Sequence, residues 1–131
     1  MSHTVKINTS FKTEHMQSFK RAVESFGWSL KDNSKINTYP SDPGRNKVYP
    51  MIMQNPGGYD IGLLFNEQTG EIELYGDFFD GSIQKTLGSN IDKLKQEYSC
   101  AVIEDKLAYD GYTTTRSQNQ ETGEVEILAE Q

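Results

Sequence analysis

The spacing of apolar positions sorts this chain into strands and helices before any composition is counted. Val5, Ile7, Thr9 and Phe11 alternate with Lys6, Asn8 and Ser10, which is the period of a strand. Met16, Phe19, Ala22, Val23 and Phe26 then recur three or four residues apart and form one stripe of a helix. Thr13 is expected to cap that helix, with Glu14 at its positive end and Gly27 closing it in a left-handed conformation. Residues 28–39 read as extended, and Pro40-Ser41-Asp42-Pro43-Gly44 as a loop. Residues 47–53 read as a strand whose Pro50, lacking an N–H, belongs at an edge or a bulge. Asn55-Pro56-Gly57-Gly58 is a hairpin connection, since no Lys-Ser/Thr follows to make it a phosphate loop. Ile83, Leu87, Ile91, Leu94, Tyr98, Ala101 and Val102 keep helical spacing across residues 82–109. Gly88-Ser89-Asn90 is a candidate break, with Asn90 capping the longer part.

One pattern occurs twice. Asn66-Glu67-Gln68-Thr69-Gly70-Glu71-Ile72-Glu73-Leu74 returns as Asn119-Gln120-Glu121-Thr122-Gly123-Glu124-Val125-Glu126-Ile127. Each copy reads as a hairpin turn entering a strand: Asn bonds the backbone ahead, Gly takes the positive φ, and alternation follows. The strand before the first turn, residues 59–65, alternates less cleanly and suits a central position with both faces partly covered. The order β-α-β-β-β-β-α-β-β predicts an α+β fold. It is expected to be a single antiparallel sheet with two main helices packed on it, one domain over residues 1–131.

Composition narrows the function classes. Mean hydropathy is −0.70 and no apolar run is long enough to span a bilayer, so a soluble, cytoplasmic protein with no membrane partner is expected. Residues 1–50 hold eight Lys/Arg against four Asp/Glu, and residues 51–131 hold five against fifteen. A net charge of −6 repels phosphate backbones and argues against nucleic acid as a partner. The lone Cys100 has no partner for a disulfide or a zinc motif and reads as a packed thiol. His15 falls on the polar side of the first helix with no Ser, Cys or carboxylate placed to form a catalytic set.

Several segments resemble a known family. Met1-Ser2-His3 before a strand and a helix ending near Phe26-Gly27 resemble its start. Tyr59-Asp60-Ile61-Gly62 is similar to its central strand, Leu94-Lys95-Gln96-Glu97-Tyr98 to its helix motif, and Gly111-Tyr112 to its entry into the last strands. The family is that of hypothetical chloroplast reading frame thirty-five, a domain of unknown function of plastids, cyanobacteria and some of their phages. It often has Asp-Trp-Trp where this chain has Asp77-Phe78-Phe79, and the loop at residues 40–45 is particular to this chain. The resemblance implies a small soluble protein of photosynthetic cells or their viruses, located in the stroma or the host cytoplasm. It implies no reaction and no catalytic residue.

The candidate contact site is Asp77-Phe78-Phe79-Asp80. Consecutive aromatics at a strand end place one ring in the core and the other on the opposite face, and the flanking acids suit a protein contact. A non-enzymatic accessory or adaptor protein is therefore expected, with a protein partner or self-association through this site or an open sheet edge. Phe79→Ala with Asp80→Lys is expected to remove the contact without lowering the melting temperature. The alternative is a small enzyme or ligand-binding protein with a pocket between sheet and helices, using Tyr59, Asp60 and Asp77. No catalytic motif, cofactor motif or calcium-loop spacing is present, so no cofactor, metal or catalytic residue is assigned.

Overall fold

The computed structural model describes residues 5–7 and 11–131, with side chains from Phe11 onward. Thr9, Ser10 and the Met1-Ser2-His3 start lie outside the described residues. Strand β1 (Val5–Ile7) pairs antiparallel with β5 (Glu71–Gly76), and Lys12 resumes the pairing by bridging Glu71. Helix α1 (Met16–Ser25) follows, then β2 (Ser29–Ser34), β3 (Tyr49–Gln54) and β4 (Ile61–Asn66). These strands form one antiparallel sheet in the order β1-β5-β4-β3-β2. Helices α2 (Gly81–Leu87) and α3 (Asp92–Tyr109) come next, and β6 (Thr113–Gln118) and β7 (Val125–Glu130) close the chain.

The fold is α+β, in the element order the sequence predicts. The last hairpin is the exception to a single sheet: β6 and β7 form their own two-stranded ribbon, packed on α3. The reason is compositional. The α3-facing side of the ribbon offers just Val125, Ile127 and Ala129 as apolar groups, and none of its residues is buried.

The core lies between the larger sheet and the helices. Phe19, Ala22 and Val23 of α1, Ile83 and Leu87 of α2, and Leu94 and Tyr98 of α3 meet Met53, Ile61, Leu63, Ile72 and Leu74 from the strands. Phe11 stands edge-on to Phe19 and Tyr98, with centroids 5.1 and 4.7 Å away. A second, smaller cluster covers the other face, where Ile36, Tyr49 and Ile52 pack with Leu64 and Tyr75. Central β4 therefore has cover on both faces, which accounts for its weak alternation. Gly62 is required there, because a Cβ would lie 2.6 Å from the Tyr49 ring.

Local expectations fare unevenly. Gly27 closes α1 at φ +83°, and Gly70 and Gly123 take φ +73° and +77° in the two repeated turns. Thr13 does not cap α1. It sits in a short 3-10 turn (Thr13–His15), and its N–H and hydroxyl both donate to the Gly70 carbonyl, at 2.7 and 3.1 Å. Asn90 does not cap α3 either: Asn90 and Ile91 both have left-handed backbones, and burial of Ile91 holds the kink. Pro50 lies on an interior strand, but where the β4 ladder has not begun and opposite Asn33 at φ +47°.

Candidate functional site

Two places gather polar and apolar groups in a way that bears on function. The first is the corner where the β3–β4 turn meets the start of α2. Asp60 is buried, and its two carboxylate oxygens accept from the backbone N–H groups of Asn37 (2.7 Å) and Asn55 (2.9 Å). The Asn55 side-chain amide donates to the Tyr59 carbonyl at 3.0 Å and to Ser82 Oγ at 3.1 Å. Ser82 Oγ donates to Asp80, which caps α2 by accepting from the N–H groups of Ser82 (3.1 Å) and Ile83 (3.3 Å). This chain of bonds brings Asp60 and Asp80 into one network. Gly58 is pressed against it, with no room for a Cβ beside Ser82.

The residues expected to bind a partner divide sharply here. Asp77 is buried and accepts from the Phe79 N–H at 3.2 Å, and Phe78 is in the core. Phe79 is 71 % exposed, so the two rings do part, but in the turn that follows β5 and not on a strand. Asp80 is committed to the cap, and replacing it by Lys removes a capping acceptor worth about 1 kcal/mol. Phe79→Ala together with Asp80→Lys would therefore lower the melting temperature, contrary to expectation, and Phe79→Ala alone is the clean probe of this surface. Tyr59 is half-buried and tilts against the Tyr39 ring at 6.2 Å. Asp60 and Asp77 thus turn their carboxylates to backbone N–H groups at the end of the sheet, and the Tyr59 carbonyl accepts from the Asn55 amide.

The second place is the groove between α3 and the ribbon. Gln96, Ser99, Cys100 and Ile103 of α3 face Val125 and Ile127 of β7 across an open recess of about 530 Å³. Arg116 of β6 clamps the ribbon to the helix. Its Nε and Nη2 donate to the two oxygens of Glu104, both at 2.6 Å, and its Nη1 donates to Glu97 at 2.7 Å. Arg21 of α1 reaches the same helix, donating to Glu104 at 3.3 Å, Asp105 at 2.8 Å and the Ala101 carbonyl at 3.1 Å. Hydrogen bonds from Arg116 hold the Glu104 carboxyl below its ordinary pKa, against the opposing effect of burial. Burial pushes the Cys100 thiol up, so it is a packed thiol and a poor nucleophile.

A family model described as "Protein of unknown function (DUF1257)" matches residues 22–128. The chain belongs to this family. The match to the DUF1257 family runs from α1 to β7, so both the corner and the groove fall within it. No curated protein and no solved structure matches the chain.

Among the described residues of this DUF1257 member, no three His, Cys, Asp or Glu side chains converge as a metal site. No helix among the described residues is long and apolar enough to cross a membrane. His15 has a carboxylate nearby after all, since its Nε2 is 3.7 Å from Glu14 on the exposed surface. The groove escaped sequence reading because its two walls lie far apart in the chain. The one available signal was Arg116, a lone cation among the threonines and acids of the last hairpin.

Proposed function

We propose that this protein is a non-enzymatic accessory protein that binds an extended segment of another protein along β7. The observation that carries this reading is the ribbon itself. It has two strands, both outer edges unpaired among the described residues, and one edge beside the apolar groove. An added strand would satisfy the free backbone groups of β7 and drop alternate side chains over Ile103 and Ile127. Glu121, Glu124, Glu126 and Glu130 are exposed on this hairpin, while its sole cation, Arg116, is already paired. The fitting occupant is therefore a basic segment with alternating apolar residues. The resemblance to the chloroplast reading frame family supports a setting in photosynthetic cells or their phages, in the stroma or host cytoplasm.

The test uses an alternating Val-Lys peptide and amide chemical shifts. Shifts concentrated in residues 125–130 and 96–103, abolished by Ile127→Lys, are the expected result. Shifts centred on Phe79, or none at all, would overturn the reading.

A further inference from the structure

The register of the ribbon says which groups of β7 face its open edge. The Asn119 N–H donates to the Glu124 carbonyl at 2.8 Å, so these two form a hydrogen-bonded pair at the turn. Hydrogen-bonded and non-hydrogen-bonded pairs alternate along an antiparallel ladder. With Ser117 opposite Glu126, Thr115 opposite Leu128 and Thr113 opposite Glu130, these three β7 residues turn their backbone groups in toward β6. Thr113 Oγ1 donates to the Glu130 carbonyl at 3.1 Å, in keeping with that direction. Val125, Ile127 and Ala129 therefore turn their N–H and C=O groups out to the open edge.

The side chains alternate as well. Val125 and Ile127 line the groove over α3, whereas Glu126, Leu128 and Glu130 are exposed on the opposite face, Leu128 at 60 %. The β6 residues beside them are Thr and Ser, which give the glutamates no cation and the leucine little apolar cover. Neither glutamate has an ion-pair partner among the described residues. An exposed leucine alone is ordinary. Its place on this edge is what selects a partner. A strand bonded antiparallel to Val125, Ile127 and Ala129 meets Glu126, Leu128 and Glu130 at non-hydrogen-bonded sites. Facing Cα atoms there are about 4.5 Å apart and side chains come closest. Opposite charges and apolar pairs gain at such sites, and like charges lose.

We infer that the segment added along β7 runs antiparallel to it and presents cation, apolar, cation on its outer face. The two cations lie against Glu130 and Glu126 and the apolar side chain against Leu128. This rests on the strand-addition reading above and narrows its occupant from a basic alternating segment to the pattern Lys-Val-Leu-Val-Lys-Val.

The full chain is titrated with that peptide and with Lys-Val-Lys-Val-Lys-Val, followed by the amides of β7. The second peptide carries one more positive charge, so attraction to an acidic protein of net charge −6 favours it. The leucine peptide is nevertheless expected to bind about two- to fivefold more tightly, the size of one cross-strand pair. Leu128→Glu, at an exposed position, should reverse the order. A spin label on the peptide's N-terminus should broaden the Glu130 amide more than that of Val125. Equal affinity, tighter binding of the lysine peptide, or a leucine preference that survives Leu128→Glu would overturn the pattern while leaving strand addition in place. Stronger broadening at Val125 would overturn the antiparallel direction. Binding of neither peptide would overturn both the pattern and the strand addition beneath it.

Discussion

The β4–β5 and β6–β7 hairpins carry the same turn and end in different environments. In the first, the Asn66 carbonyl accepts from the Gly70 N–H at 2.8 Å, and its side-chain Oδ1 accepts from Gln68 and Thr69 at 3.0 and 3.2 Å. In the second, Asn119 accepts from Gly123 at 2.8 Å and from Glu121 and Thr122 at 2.8 and 3.1 Å. Thr69 and Thr122 each accept from the N–H two residues on, both at 3.3 Å. Yet Ile72 and Leu74 are fully buried, while Val125 and Ile127 are half-buried. The first hairpin is flanked by β3 and β1, and Thr13 bonds its turn. The second packs on α3 through Arg116 and the half-buried Val125 and Ile127. A turn motif thus sets a hairpin's geometry, and its neighbours set its stability.

The widest separation between the two is expected from matched truncations. Leu74 and Ile127 hold the same place relative to their turns. Leu74→Ala opens a cavity in the main core and should cost about 2–5 kcal/mol of global stability. Ile127→Ala removes a side chain that water already reaches and should cost about 1 kcal/mol or less. Denaturant unfolding of the two variants checks this, and equal losses would mean that the ribbon is part of the main cooperative unit.

The Arg116 clamp comes next in size. Arg116→Met keeps much of the stem packing but leaves Glu97 and Glu104 facing each other without their shared cation. Docking of the ribbon should weaken by about 2–3 kcal/mol. Hydrogen exchange should then speed up in residues 113–130 while β4 and β5 keep their protection. Uniform acceleration across both hairpins would erase the distinction.

How much of this was legible in the sequence follows from the same contrast. Local chemistry was readable: Gly70 and Gly123 take the positive φ their turns demand. Phe78 and Phe79 do part, but in the turn after β5 and not by the strand alternation expected of them. Long-range chemistry was not. Thr13 looks like a helix cap until Gly70, 57 positions on, claims its hydroxyl. Asp60, Asp77 and Asp80 look like free carboxylates because the sequence does not reveal which backbone N–H groups will point at them. The separate ribbon was missed because its alternating pattern is that of any half-buried strand, and nothing in a strand states whether a sheet or a helix will cover it. The recess lined by Phe26, Trp28 and Pro56 was invisible, since its walls come from the α1–β2 connection, the β3–β4 turn and α2.

Glycine substitutions sharpen the point at a smaller scale. Gly70→Val and Gly123→Val each force a β-branched residue into the left-handed region, at about 1–2 kcal/mol. Neither is crowded: a Cβ at Gly70 meets Thr13 Oγ1 at 3.8 Å, and one at Gly123 meets nothing within 4 Å. The local cost is thus the same and the readout differs. Gly70→Val should lower the melting temperature of the whole molecule. Gly123→Val should mainly loosen the ribbon, seen as faster exchange of the Asn119 and Gly123 amides.

The finest distinction is pH. The β4–β5 hairpin is held by Ile72 and Leu74, which do not titrate, whereas the ribbon is held by Glu104 through Arg116. Glu104 has its pKa lowered in the fold, first by the hydrogen bonds from Arg116 and further by its attraction and by Arg21. A carboxylate whose folded pKa is depressed contributes stability that is complete above its unfolded value and is lost as pH falls through the folded value. With an ordinary glutamate value of 4.5, the contribution is full at neutral pH and starts to decline below about that point. Amide protection in residues 113–130 should accordingly fall on acidification before that of β4 and β5 does. Glu104→Gln separates this from general acid unfolding, because it keeps the shape of the side chain and removes the titration. Its ribbon should be less protected at pH 7, by about 1 kcal/mol, and should lose the acid-induced step. If the variant's ribbon still opens over the same pH range, Glu104 does not carry the dependence, and the two hairpins differ in burial alone.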